Sequence, residues 1–140
     1  MLTALVALVV IAAIAVPMWR THELRVRRQE AIDALRAVQS AQDDYFGRHA
    51  RYADEGQLRA SSPQGLLEKA LSEKGLSARG NYRLTVNKSA DDLTYTAVAR
   101  VVPLETEAAD TRCVELRIDQ NGRRFALDAN GEDRSADCWH

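Results

Sequence analysis

The sequence opens MLTALVALVVIAAIAVPMW, a run from Met1 to Trp19 with no charged residue, and then passes at Arg20 into THELRVRRQEAIDALRAVQSAQDDYF, where charge is dense. No other feature restricts the chain as much. At about 1.5 Å of rise per helical residue, such a run reaches roughly across a 30 Å hydrocarbon core. Three readings compete. A cleaved secretory signal would need a basic start; Ala13-Ile14-Ala15 offers a small-x-small site, but nothing basic precedes the run. A buried helix would need a domain large enough to cover every face. A membrane helix fits best, with Leu5, Leu8, Val9, Ile11, Ile14 and Val16 as its apolar surface, Pro17 as a tolerated kink near its end and Trp19 as an interfacial anchor.

The helical pattern does not stop at Arg20. From Thr21 to about Tyr52 there is no proline, and Gly47 is the one glycine. Leu24, Ala31, Leu35, Val38, Gln42 and Tyr45 recur at helical spacing, with Ile32 and Ala41 widening the stripe and Arg25, Arg27, Arg28, Glu30, Asp33 and Arg36 opposite. Joined to the apolar run, this predicts one rod of roughly 50 residues, about 75 Å long. One half is apolar all round; the other needs a cover on one face.

The remaining chain supplies that cover. Ser62 as N-cap and Pro63 at the first helical position predict a short helix from about Pro63 to Lys74, stopped by Gly75. The period then changes to two. Asn81–Asn87 alternates Tyr82, Leu84 and Val86 against Arg83 and Thr85, and Leu93–Val102 follows after a Lys88–Asp92 turn. Cys113–Asp119 and Arg123–Leu127 flank the hairpin signal Gln120-Asn121-Gly122. Four short antiparallel strands against one amphipathic helix make an α+β domain with one solvated sheet face.

Cys113 and Cys138 sit in no CxxC and in no cluster with metal-ligand spacing. If the opening is a membrane signal, a disulfide is the default reading; two free thiols are the alternative. The bridge would close a loop of about 26 residues, for which chain entropy gives roughly 3.5 kcal/mol. It would also tie down the irregular tail Asp128–His140, where only Trp139 can pack. The chain has 19 Lys+Arg against 20 Asp+Glu, and Asn81–His140 carries eight basic against eleven acidic residues, so it is no general electrostatic adhesive for nucleic acid. Catalysis is poorly provided for. His22, His49 and His140 are scattered, Asp43-Asp44 and Asp91-Asp92 are adjacent pairs that point apart, Ser61-Ser62 is better read as capping, and no glycine loop cradles phosphate. No enzyme activity, cofactor or metal is expected. Arg25, Arg27 and Arg28 could meet lipid headgroups or acidic neighbours, or be a solvated face.

The run VIAAIAVPMW, the helix RVRRQEAIDALRAVQSAQDDYFGRHARYAD, the strand NYRLTV, and ADCWH after RCVELRID together resemble a type IV pilin, and within that family the PilE-like minor pilins. Tyr45-Phe46, Arg51-Tyr52-Ala53 and the Cys-Trp ending are similar to features of such pilins. The resemblance implies a lollipop: a long N-terminal helix with its apolar half protruding, packed on a four-stranded antiparallel sheet with a C-terminal disulfide loop. It implies residues 1–19 as a transmembrane and filament-core segment, with 20–140 as a periplasmic or extracellular head. The implied life cycle begins in the bacterial inner membrane and ends in an extracellular pilus, with other pilins and the assembly machinery as partners. An all-round apolar helix is stable in lipid and among its own kind alike. Pro17 matches the family's helix-kinking proline. Members are made with a basic leader cut after Gly, an N-methylated first residue and a Glu a few residues on. Aligned on Pro17, that Glu would fall immediately before Met1, and Arg20, Arg25, Arg27 and Arg28 lie on the far side of the span. The expectation is therefore an internal Met1, with a leader encoded upstream.

Three functions follow from the resemblance. One is a minor pilin serving pilus assembly or initiation in adhesion, twitching motility and DNA uptake. A second is a pseudopilin of type II secretion, where a calcium loop usually replaces the disulfide loop; Asp128–Asp133 is only loosely calcium-like. The third is a DNA-receptor pilin with Arg112, Arg117, Arg123, Arg124 and Arg134 along one face, weighed down by the acidic local charge.

Overall fold

The computed structural model describes residues 2–61, 67, 74–103 and 110–139, with side chains from residue 6 onward. Helix α1 spans Leu2–His49, 48 residues with Pro17 inside it, so the apolar run and the charged pattern form one rod of roughly 70 Å. The Thr21 hydroxyl donates to the Pro17 carbonyl at 2.9 Å. Pairs four apart support the exposed face: Arg27 with Glu23 at 2.7 Å, Gln29 with Asp33 at 2.8 Å and Arg48 with Asp44 at 2.5 Å. The buried stripe is Ala31, Ile32, Ala34, Leu35, Val38, Gln42 and Tyr45. α1 ends three residues before the expected Tyr52. Ala50 turns to φ 52 and its N–H donates to the Phe46 carbonyl, a left-handed stop made without glycine.

A second helix, α2, occupies Glu55–Ser61, where the periodicity alone predicts nothing. Its start is a reciprocal cap: Asp54 Oδ1 accepts from the Gln57 N–H at 2.8 Å, and Gln57 Oε1 accepts from the Asp54 N–H at 3.0 Å. That is the D-x-x-Q form of the capping box, legible in the sequence once sought. The expected helix from Pro63 to Lys74, with its Ser62 cap, lies mostly outside the described residues; Leu67 is helical and buried. Gly75 has φ 72, a left-handed conformation that glycine adopts without strain.

The sheet is a simple meander, in the order β1 (Tyr82–Lys88), β2 (Tyr95–Val101), β3 (Glu115–Asp119), β4 (Arg124–Leu127). All pairs are antiparallel, as the four alternating segments predict, with ends within two residues of expectation. Leu93 and Thr94 fall outside β2, and Leu93 is exposed. Cys113 and Val114 precede β3. Tyr82, Leu84, Tyr95, Ala97, Ala99, Leu116, Ile118 and Ala126 face inward against the stripe of α1 and form one core with it. The small residues Ala97 and Ala99 on β2 let the helix lie close. Tyr82 and Tyr95 are almost wholly buried and their hydroxyls have no hydrogen-bond partner among the described residues; burial first, then nearby carboxylates, pushes both phenols above their ordinary value. In the β3–β4 hairpin, Gly122 sits at φ 72 and Asp119 Oδ1 accepts from the N–H groups of Asn121 and Arg123.

Polar ties also hold α1 to the head. Arg28 reaches Asp110 with Nε at 2.5 Å and Nη2 at 3.0 Å, and Glu30 accepts from the Arg79 N–H at 2.7 Å and Asn81 Nδ2 at 2.6 Å. Asp110 Oδ1 also accepts from the N–H groups of Arg112 and Cys113. Cys113 is bonded to Cys138, with Cα atoms 5.9 Å apart. The tail is better ordered than an irregular segment. Its residues Ser135–Cys138 form a helical turn, α3. The Arg134 N–H pairs with the Ala126 carbonyl, and Trp139 Nε1 donates to the Phe125 carbonyl at 2.9 Å under the Arg124 guanidinium.

Candidate functional site

Two surfaces stand out from the folded chain. The first is the N-terminal half of α1. From Val6 to Trp19 the large apolar side chains, Leu8, Val9, Ile11, Ile14 and Val16 among them, are 52–75% exposed. α1 is long and apolar enough to cross a membrane by length and composition, and none of its most apolar stretch is buried by the other described residues. Leu5 belongs to the helix, but its side chain lies outside the described residues. Pro17 lies two residues before the end of the run.

The second surface is the outer face of the sheet. Period-two alternation sends Arg83, Thr85 and Asn87 of β1 outward, and register lines them up with β2 and β3. One cross-strand row reads Arg83, Arg100, Glu115; the next reads Thr85, Val98, Arg117, and continues to the exposed ring of Phe125 on β4. The residues of these rows on β1, β2 and β3, together with Asn87 and Thr96, line an open groove of about 530 Å³. Arg83 stands directly opposite Arg100, an arrangement that repels unless an anion intervenes. Glu115 supplies an anion on the other side of Arg100. Its Oε2 accepts from Nε of Arg100 at 2.8 Å and from Nη2, and its Oε1 accepts from Nε of Arg117. Burial pushes the Glu115 carboxyl up, but the bonds and charges of Arg100 and Arg117 outweigh it, and the group lies below the usual glutamate range. Arg83 is held only through the Lys74 carbonyl, at 3.4 Å, among the described residues. Two guanidiniums therefore share one carboxylate at a surface open to water, and a third, Arg83, stands in the same row without an acidic partner among the described residues.

This is not the set of arginines that sequence reasoning singles out. Of Arg112, Arg117, Arg123, Arg124 and Arg134, only Arg117 lies in the groove. Arg112 pairs with Asp137 across the disulfide loop, Arg134 with Asp128 and Glu132, and Arg124 stacks on Trp139. Arg83 and Arg100 were missed. Alternation places each on a solvated face, but no single strand reveals that they meet. The cluster Arg25, Arg27, Arg28 also divides. Arg28 turns inward to Asp110 and Arg27 bonds Glu23, while Arg25 has no ion-pair partner among the described residues.

Asp128 is committed to structure rather than arranged around a cation site. Its carboxylate accepts from the N–H groups of Glu132 and Asn130 and from Arg134, and these bonds, the Glu132 N–H first, outweigh burial and hold it below its ordinary range. No His, Cys, Asp and Glu grouping among the described residues could hold a metal. His49 packs on the Tyr45 ring at 4.3 Å, and the adjacent carboxylates separate as expected: Asp44 to Arg48, Asp92 to Lys88, Asp91 to Ser89.

Comparison with known proteins bears on both surfaces. No curated protein matches the chain. A solved type IV pilin from Shewanella oneidensis shares the fold at TM-score 0.51, with 18% identity, covering 83% of this chain and 97% of that one. The family model described as type IV minor pilin ComP, DNA uptake sequence receptor, matches residues 17–117, which include Pro17, the packed half of α1 and all the groove-lining residues. By that match over most of its length, the chain belongs to the type IV minor pilin family.

Proposed function

We propose that this minor pilin is a non-enzymatic pilus subunit. Residues 1–19 anchor it in the bacterial inner membrane and then join the filament core, while 20–140 form the head outside. The carrying observation is the exposed apolar half of α1, continuous with a helix whose other half is packed on the sheet. Water opposes so much bare apolar surface, and lipid or the same segment of other pilins removes it from water equally well. Pro17 supplies a bend that frees a backbone carbonyl near the end of the span. The test is to fractionate cells making the full chain, shear off their pili and probe both fractions. Chain in the inner membrane and in pili supports the reading; chain only in the soluble fraction defeats it. Deleting the gene separates a subunit needed for assembly, which loses pili, from an accessory one, which loses only a pilus function.

A second reading concerns what the head contacts. The outer sheet groove, with its excess of guanidinium, supports a DNA-receptor role of the kind named in the family's description. Phosphate contacts by arginine give a duplex affinity that falls steeply with salt. Binding of a labelled duplex by the full chain in detergent, weakened by salt and by Arg83→Gln or Arg100→Gln, is the expected result. Undiminished binding in both variants would place DNA elsewhere on the head.

A further inference from the structure

Resting on the DNA reading of the outer sheet face, we infer that Glu115 is a positioning residue whose buried carboxylate holds Arg100 and Arg117 as a fixed pair for gripping the phosphodiester backbone. The anchor and the heads differ in exposure. The Glu115 side chain is 5% exposed, whereas the side chains of Arg100 and Arg117 are 66% and 41% exposed. Each carboxylate oxygen serves one arginine, Oε2 taking Arg100 and Oε1 taking Arg117. These bonds use Nε of both arginines and Nη2 of Arg100, which among the described residues leaves Nη1 of Arg100 and both Nη atoms of Arg117 for an outside acceptor.

A surface ion pair that merely balances charge would have its acid as exposed as its bases. Here the acid is sunk beneath the two planes and fixes their direction. Arginine presents a planar fork, and orienting that fork before a ligand arrives lowers the entropy lost on binding. Arg83, across the strand from Arg100, adds a third cation to the same row. Guanidiniums held this way meet phosphate oxygens, and such contacts fix register without reading sequence. The groove therefore grips different duplexes alike, and discrimination between sequences belongs to other parts of the head.

Charge balance and positioning predict opposite results for one substitution. Glu115→Gln removes a negative charge from an anion site, so electrostatics alone predicts tighter binding. Loss of positioning predicts weaker binding. The control is Thr85→Lys in the same groove, which changes the charge by the same amount and leaves the anchor in place. The full chain in detergent micelles is titrated with labelled duplexes of several unrelated sequences. Expected results are Thr85→Lys about two- to threefold tighter and Glu115→Gln about fivefold weaker, alike for every duplex. Glu115→Gln binding as tightly as the parent, or tighter, overturns the inference. Parent protein that binds no duplex at low salt overturns the DNA reading, and the role of Glu115 with it. The Nε–H resonances of Arg100 and Arg117 give a readout without DNA: sharp and slowly exchanging in the parent, broadened in Glu115→Gln, with unchanged signals counting against positioning. Should Glu115→Gln fail to fold, Glu115→Asp carries the test. It keeps the charge but shortens the reach, and about twofold weaker binding is expected; parent affinity with parent Nε–H signals overturns the role.

Discussion

Gln42 on α1 holds Ala53 by both of its backbone groups: Nε2 donates to the Ala53 carbonyl at 2.8 Å and Oε1 accepts from the Ala53 N–H at 2.9 Å. Both residues are fully buried. The amide does what a strand neighbour would do for a loop that has none, and so lets the chain leave the helix and turn across the core. Gln42→Leu keeps the shape and loses both bonds, stranding a buried donor and acceptor. The expected cost is about 2–4 kcal/mol, read as a lower denaturation midpoint of the full chain in detergent.

Ala50 closes α1 with φ 52, where a side chain is strained and glycine is not. Ala50→Gly is expected to stabilise the head by about 0.5–1 kcal/mol, seen as a higher thermal midpoint. A lower midpoint would mean that unfolded-chain entropy outweighs the relief of strain.

Cys113→Ser removes the covalent tie between the start of β3 and the tail. The expected loss is about 2–5 kcal/mol. Trp139, held by Nε1 on the Phe125 carbonyl, reports it directly: its emission should shift to the red as the ring enters water, before the sheet signal is lost.

Acid should weaken the fold through Glu115. Its folded pKa lies below the ordinary value of 4.5, so its stabilising contribution is complete above that value and disappears as pH falls through the depressed folded value. Asp128 and Asp133, held down chiefly by hydrogen bonds, act in the same direction below 3.8. Denaturation midpoints measured downward from about pH 6 should fall in this window. Glu115→Gln should start lower and lose less over the upper part of it.

Ile11→Asp places a charge near the middle of the apolar run, where insertion costs about 3 kcal/mol more. Under the membrane-anchored reading, the variant should be extracted from membranes by alkaline carbonate while its head melts as the parent does.

The sequence yields the rod, the four strands and the hairpin at Asn121-Gly122 because each is a local pattern: an uncharged run, a helical stripe, alternation, and turn chemistry. α2 was within reach through Asp54 and Gln57, but its short run has too little periodicity to announce itself. The groove was not legible. Arg83 and Arg100 are 17 positions apart, and only the register of β1 on β2, with Glu115 following on β3, makes them neighbours. Charge counting over Asn81–His140 pointed away from a basic site. It could not foresee that Arg112 and Arg134 would be drawn to acids of the tail while Arg100 and Arg117 shared one carboxylate with Arg83 beside them.

The Arg28–Asp110 bond lies low on the packed half of α1, just above the bare apolar segment. A pull on that segment reaches it early, and Asp110 passes the load through its bond to the Cys113 N–H into a loop closed by a covalent bridge. Part of any tension along the rod is thus led through Asp110 into a loop whose two ends are covalently joined.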